Sequence, residues 1–167
     1  MTLAEFHALL EKEAFDTLFL CCGCSRWARK LTAARPFDGL DALKKTSDQI
    51  WAETTEADWL EAFSHHPKIG DVKSLEKKFA STAAWASGEQ ASVQQASSEI
   101  IQRLAQGNKD YEDRFGFIFI VCATGKSAPE MLELLEQRLP NERETELRIA
   151  AGEQNKITHI RLDKLFA

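Results

Sequence analysis

Residues 115–123 read FGFIFIVCA, and the reading of this stretch decides the fold. Its aromatic and β-branched composition suits a strand. Working outward in either direction, the apolar residues recur at helical rather than alternating spacing, so no second strand is on offer. One strand cannot make a sheet. The stretch is therefore expected to be a buried extended segment or a helix inside an all-α protein.

Toward the N-terminus, residues 89–106 (EQASVQQASSEIIQRLAQ) suit a long helix, with Val93, Ile100, Ile101 and Leu104 apolar and Gly107-Asn108 as its expected end. DVKSLEKKF is a short amphipathic helix, and ASTAAWASG stays ambiguous. Thr55 caps EADWLEAF, with Asp58 at the third helical position. Asp38 opens GLDALKKTSDQIWAE, whose inner positions are Leu40, Leu43, Ile50 and Trp51. Ser25 caps RWARKLTAA, and a helix over Ala14 to Cys21 stops near Gly23. Thr2 with Glu5 forms a capping box ahead of Leu3, Phe6, Leu9 and Leu10. Toward the C-terminus, APEMLELLEQRL carries Pro129 in its first turn, and Asn141 starts a last helix that runs to Leu165 with a break expected near Gly152. Repeats, linkers and low-complexity tracts are missing. The expectation is one compact domain over residues 1–167 with about eight helices.

The 167 residues are enough to bury a real core, and 44% apolar with 28% charged residues is ordinary globular composition. The net charge of −5 argues against nucleic acid or an anionic membrane as the main partner, since both call for basic surface. No apolar run approaches the roughly 20 residues of a membrane span, and the first residues lack a signal-peptide layout. A cytoplasmic protein is expected. Cys21, Cys22 and Cys24 crowd together far from Cys122. Their spacing is not that of a zinc site, and a reducing compartment disfavours a disulfide, so small buried apolar side chains are the expectation.

Familiar catalytic signatures are missing. Gly125-Lys126-Ser127 ends like a phosphate-binding loop, but that loop needs a glycine five residues earlier, where Ile120 stands. Residues 64–70, SHHPKIG, are more informative. Pro67 biases His66 toward extended geometry and stiffens the turn. His66 is thus carried on a short rigid platform after a helix C-terminus, whose partial negative charge can raise an imidazole's pKa. That suits a general acid or base near neutral pH. The competing reading is a histidine that caps the preceding helix, and His65 is the better candidate for that role. Adjacent His65 and His66 point apart on most backbones, so no metal site is expected. Glu89 and Gln90 follow Gly88 at a helix start. A carboxylate there gains from the helix dipole whether or not it binds anything. Arg161, flanked by Ile160 and Leu162, either reaches inward to a carboxylate or runs its head out to water.

Taken in order, FSHHPKIGD (63–71), SGEQ (87–90), YEDRFGFIFIVCATGKS (111–127) and NKITHIRLDKL (155–165) resemble the 2-oxo-4-hydroxy-4-carboxy-5-ureidoimidazoline (OHCU) decarboxylases of urate breakdown, and CCGCSRWARKLTAARPF (21–37) is similar to that family's opening segment. The resemblance implies an all-helical enzyme that uses no cofactor and no metal, forms a homodimer and acts on a small ureidoimidazoline. It implies His66 as the catalytic histidine with Pro67 beside the substrate, and Glu89 and Arg161 as catalytic partners. It implies substrate contacts from Gln90, a pocket lining of Ala86, Ser87 and Gly88, and a wall of Phe119, Ile120, Val121, Cys122 and Ala123 that binds ring atoms mainly through backbone groups. The alternative is a non-catalytic helical module that docks a partner helix. That reading places Glu89 and Arg161 apart from His66. A metal-dependent hydrolase built on His65, His66 and carboxylates is a third reading, which elemental analysis would decide.

Overall fold

The computed structural model describes residues 1–67, 71–79 and 90–167, and of residues 90–97 the backbone. Among the described residues every element is a helix. There are nine: α1 (Leu3–Ala8), α2 (Glu11–Phe19), α3 (Ser25–Ala33), α4 (Leu40–Ala52), α5 (Glu56–Ser64), α6 (Val72–Phe79), α7 (Gln90–Phe115), α8 (Ala128–Arg138) and α9 (Arg143–Leu165). The all-α expectation holds, with one helix more than the approximate count read from the sequence.

The chain divides into two compact units, which alternate along it. One holds Met1–His66, Ile120–Cys122 and Leu147–Ala167; the other holds Pro67–Phe119 and Ala123–Glu146.

In the first unit α3 packs against α2, α4 and α5. Trp27 is fully buried, and its indole N–H donates to Ser47 Oγ at 2.9 Å, so the apolar body is sunk without an orphaned donor. Trp51 in α4 donates in the same way to the Ala151 carbonyl of α9 at 3.1 Å. Capping follows the expected pattern at Thr2, whose Oγ1 accepts the Glu5 N–H while Glu5 accepts the Thr2 N–H. At Thr55 the main-chain N–H donates to Asp58 at 2.9 Å. Ser25 is not the cap of α3 but its first residue. The Ser25 N–H and hydroxyl donate to the two Glu61 oxygens at 2.8 and 2.6 Å, so a carboxylate from α5 closes this N-terminus instead. Gly39 rather than Asp38 precedes α4. The second helix starts three residues before its expected origin at Ala14. Leu10 does not join the inner face of α1 because α1 ends at Ala8, and Leu10 is left 72% exposed.

In the second unit α7 packs against α6 and α8. Gly107 does not end α7, which runs on to Phe115. A Cβ at Gly107 would stand 2.5 Å from Leu135 Cδ2 and 3.2 Å from its Cγ, so this glycine lets α8 approach α7 closely. The helix stops instead at Gly116, which has φ +81° and an N–H that bonds the Glu112 carbonyl at 2.8 Å. Beyond it, residues 117–123 form neither helix nor strand and belong to no ladder. The last helix begins at Arg143 rather than Asn141 and is unbroken at Gly152. Asn141 sends its amide to Glu146 Oε2 at 3.1 Å.

Within its apolar core the second unit buries a polar cluster. Glu146 is fully buried and accepts from Tyr111 Oη at 2.6 Å and from Arg138 Nε at 2.5 Å. The Arg138 guanidinium lies over the Phe119 ring at 4.6 Å, and the Phe115, Phe117 and Phe119 rings all gather on Tyr111. Burial first, and then the bond to Glu146, push the Tyr111 phenol upward, so it stays a neutral donor.

Candidate functional site

The first unit positions the histidines through the last turn of α5. The His65 N–H bonds the Ala62 carbonyl at 3.3 Å and the His66 N–H bonds the Phe63 carbonyl at 3.2 Å, so both residues are tied to the helix end by their own backbone. The two rings then diverge. His65 meets the Phe19 ring edge-on, with centroids 4.9 Å apart, and is exposed. His66 is half-buried, and its Nε2 is hydrogen-bonded to Gln154 Oε1.

Gln154 lies on α9 and is fully buried. Its Nε2 donates to Thr158 Oγ1 at 3.1 Å, and the Thr158 hydroxyl donates back to the Gln154 main-chain carbonyl at 2.9 Å. Gln154, Thr158 and Arg161 recur at i, i+4 and i+7, a polar stripe on one face of the helix. That stripe, set against buried Ala150, Ala151 and Leu162, is the signal by which Gln154 could have been found from sequence.

Arg161 turns inward. Its Nη1 donates to the Cys21 carbonyl at 3.2 Å, and its charge acts on the His66 imidazole. Burial is the largest influence on His66 and lowers its pKa from the ordinary value near 6.5; the bond to Gln154 opposes this, and Arg161 adds to it. The expected upward shift from the helix C-terminus is therefore overturned. Desolvation of the ring outweighs the partial charge of the helix end, and a full positive charge nearby works in the same direction.

The cysteine cluster surrounds the same corner. All four cysteines are buried thiols. Burial pushes the Cys21 thiol up to about 11 and Cys22 up to about 12, which removes them as nucleophiles at neutral pH. The glycine among them has a spatial purpose. A Cβ on Gly23 would fall 2.5 Å from His65 Cβ, an atom that cannot move without the backbone, and 2.7 Å from His65 Cγ. Gly23→Ala is expected to displace the turn at 65–66, costing about 1–3 kcal/mol of stability and lowering turnover. A urea midpoint unchanged from wild type would show that the turn does not need this approach.

The segment after α7 also reaches this unit. Ile120 and Cys122 are buried, and the Cys122 N–H is bonded to Glu153 Oε1 at 3.4 Å. Among the residues expected from sequence, one unit thus holds His66, Arg161, Ile120, Val121 and Cys122. Pro67, Phe119 and Ala123 belong to the other unit, and Pro67 is exposed. Ala86, Ser87, Gly88 and Glu89 lie outside the described residues, and Gln90 is described as the first residue of α7. Among the described residues no group of three or more His, Cys, Asp or Glu side chains is placed to hold a metal ion, and no helix is long and apolar enough to cross a membrane.

A half-buried imidazole with a hydrogen-bond partner and a neighbouring guanidinium can move protons beside a bound anion. Comparison with known proteins finds a family and several relatives. The family model described as OHCU decarboxylase matches residues 7–163. The uric acid degradation bifunctional protein TTL of Arabidopsis thaliana is 39% identical over 154 residues; the match covers 91% of this chain and 47% of that protein, so the chain spans about half of that relative's length. The 2-oxo-4-hydroxy-4-carboxy-5-ureidoimidazoline decarboxylase of Haloferax volcanii is 27% identical over 168 residues, covering 100% of this chain and 97% of the relative. A crystal structure of OHCU decarboxylase in the presence of (S)-allantoin superposes with TM-score 0.73 at 38% identity, covering 90% of this chain and 97% of that one.

Proposed function

The chain belongs to the OHCU decarboxylase family, and from that premise we propose that it decarboxylates 2-oxo-4-hydroxy-4-carboxy-5-ureidoimidazoline to (S)-allantoin in urate degradation, with His66 moving the protons. The observation that carries the reading is the His66 environment: a half-buried ring, bonded through Nε2 and facing the charge of Arg161.

The substrate brings its own electron sink. Its quaternary ring carbon bears a hydroxyl and a carboxylate, and the adjacent carbon is an imine carrying the ureido group. When the bond to CO2 breaks, its electron pair forms a C=C bond to that neighbour, and the imine pair moves to nitrogen, which takes up a proton. What remains is an enol. It becomes allantoin when the hydroxyl loses its proton and the ureido-bearing carbon gains one. An imidazole that takes the first and delivers the second accounts for both transfers, and delivery to one face sets the S configuration.

Arg161 holds the carboxylate or a ring carbonyl. A guanidinium carries five N–H donors, so the bond to Cys21 leaves others for a substrate oxygen. The grip on the carboxylate must be moderate, since ground-state binding that vanishes with CO2 would raise the barrier. Glu89 accepts from ring or ureido N–H groups, Gln90 fixes the ureido amide, and Pro67 with Ala86, Ser87 and Gly88 lines the pocket. Phe119 to Ala123 supplies a wall. The resemblance in motif order supports these roles. The alternation of the two units along the chain supports treating residues 1–167 as one domain. A homodimer in the cytoplasm is part of the same reading.

The test is to generate the unstable substrate in situ and follow allantoin by circular dichroism. Acceleration with a single optical sign is expected; racemic product at the spontaneous rate would remove the reading. Repeated across pH, the same assay reports the titration of the base. Burial and Arg161 both disfavour the imidazolium, so the neutral ring survives to lower pH, and the acid limb of kcat/KM should have its midpoint below 6.5. A midpoint above that value would mean that another group titrates.

A further inference from the structure

We propose that Gln154, held by Thr158, is a positioning residue that keeps the neutral His66 ring in its Nε2–H form and so assigns the proton transfers to Nδ1. This rests on the reading of His66 as the group that moves protons.

The chain of donors starts at Thr158. Its hydroxyl has one hydrogen, which goes to the Gln154 main-chain carbonyl. Toward the Gln154 side chain the same oxygen can then only accept, and it is the amide Nε2 that stands there. An amide nitrogen only donates and an amide oxygen only accepts. Turning the amide over would set Gln154 Oε1 against lone pairs of Thr158. Oε1 therefore faces His66, and the ring nitrogen that meets it must carry a hydrogen. Gln154 is fully buried and Thr158 is 2% exposed, so bulk water does not substitute for a lost partner.

The bond to Gln154 survives protonation. The imidazolium gains its second hydrogen at Nδ1 while Nε2–H stays on Oε1, which is why this contact favours the charged ring as burial and Arg161 oppose it. In the decarboxylated enol the hydroxyl proton passes to Nδ1, the oxygen becomes a carbonyl, and a proton passes from Nδ1 to the ureido-bearing carbon, where the C=C pair becomes the new C–H bond. The imidazole ends neutral. One nitrogen serving both transfers delivers to one face without a ring flip or a change of tautomer.

The test combines nitrogen-15 NMR of histidine-labelled protein with kinetics. The His66 signals are identified by their loss in His66→Gln. Above the ring's pKa, wild type should show His66 with a protonated Nε2 and a bare Nδ1. Gln154→Met removes the acceptor at similar length, and Thr158→Val releases the amide. Both should give a mixture of tautomers and a fall in kcat of roughly tenfold, a part of the 10²–10⁴ that a positioned acid–base supplies, with KM unchanged. In Gln154→Met the acid limb should move to lower pH, because a group favouring the imidazolium is gone. Gln154→Glu should restore the Nε2–H form and move that limb upward. A wild-type ring protonated at Nδ1, or an Nε2–H form unchanged in both Gln154→Met and Thr158→Val, would overturn the assignment. The NMR result needs no turnover. A wild-type protein that shows the Nε2–H form yet fails to accelerate decarboxylation would sink the functional reading, and with it the role given to Nδ1, and leave only the tautomer assignment standing.

Discussion

Replacing His66 with alanine is expected to lower the rate of allantoin formation by about 10² or more, the usual worth of a general acid–base group. Tenfold corresponds to about 1.4 kcal/mol, so this loss is near 3 kcal/mol of transition-state stabilisation. The fold should survive. The ring is half-buried and hangs from a turn tied by its own backbone N–H groups. The main structural cost is that Gln154 Oε1 loses its partner, about 1–3 kcal/mol for a buried acceptor left unsatisfied, and less if water enters the vacated space. His65→Ala is the control. That ring packs on Phe19, and its removal should leave the rate near wild type. The two variants are compared by circular dichroism on freshly generated substrate. A dead His65→Ala beside an active His66→Ala would move the proton-transfer role one residue back.

The second large effect concerns stability and lies in the other unit. Glu146→Leu should destabilise the protein by about 3–5 kcal/mol, because removing one partner of a buried ion pair leaves the other charge in a poor solvent. Few single changes cost so much against a total of about 5–15 kcal/mol. Glu146 is fully buried, and three side chains converge on it: Tyr111, Arg138 and Asn141. The loss would spread to the segment after α7, since Arg138 lies over Phe119 and Tyr111 carries the Phe115, Phe117 and Phe119 rings. Adding Arg138→Met removes the stranded charge and should recover most of the stability. Urea midpoints at constant m-value measure both. A cost under about 1 kcal/mol for Glu146→Leu, the range of an exposed pair, would show that water reaches this carboxylate.

These two sites differ in how far the sequence discloses them. SHHPKIG marks His66 by local chemistry, because a proline and a helix end act on the residues beside them. The Arg138–Glu146 pair has no local mark. Both residues sit in charged helical stretches where solvation is the ordinary reading, and only the packing around Tyr111 reveals that they are buried. Gly107 shows the same limit. A glycine after a long amphipathic run reads as a stop, yet here it admits Leu135, and Gly116 is the stop. The choice depends on the partner helix, which the local pattern does not contain.

By itself the sequence determined the helical class, the capping at Thr2 and Thr55, the first turn of α8 and the isolation of residues 115–123 from any sheet. Each of these follows from interactions within a few residues: cap bonds, helical period, the fixed φ of proline. Tertiary structure alone decided that the His66 pKa moves down rather than up, that Gln154 bonds the ring, and that Arg161 turns inward to Cys21. Those outcomes depend on how much water the neighbouring helices remove and on which donors they bring across the gap. Desolvation and long-range hydrogen bonding are properties of the surroundings, and the surroundings come from parts of the chain far away in sequence.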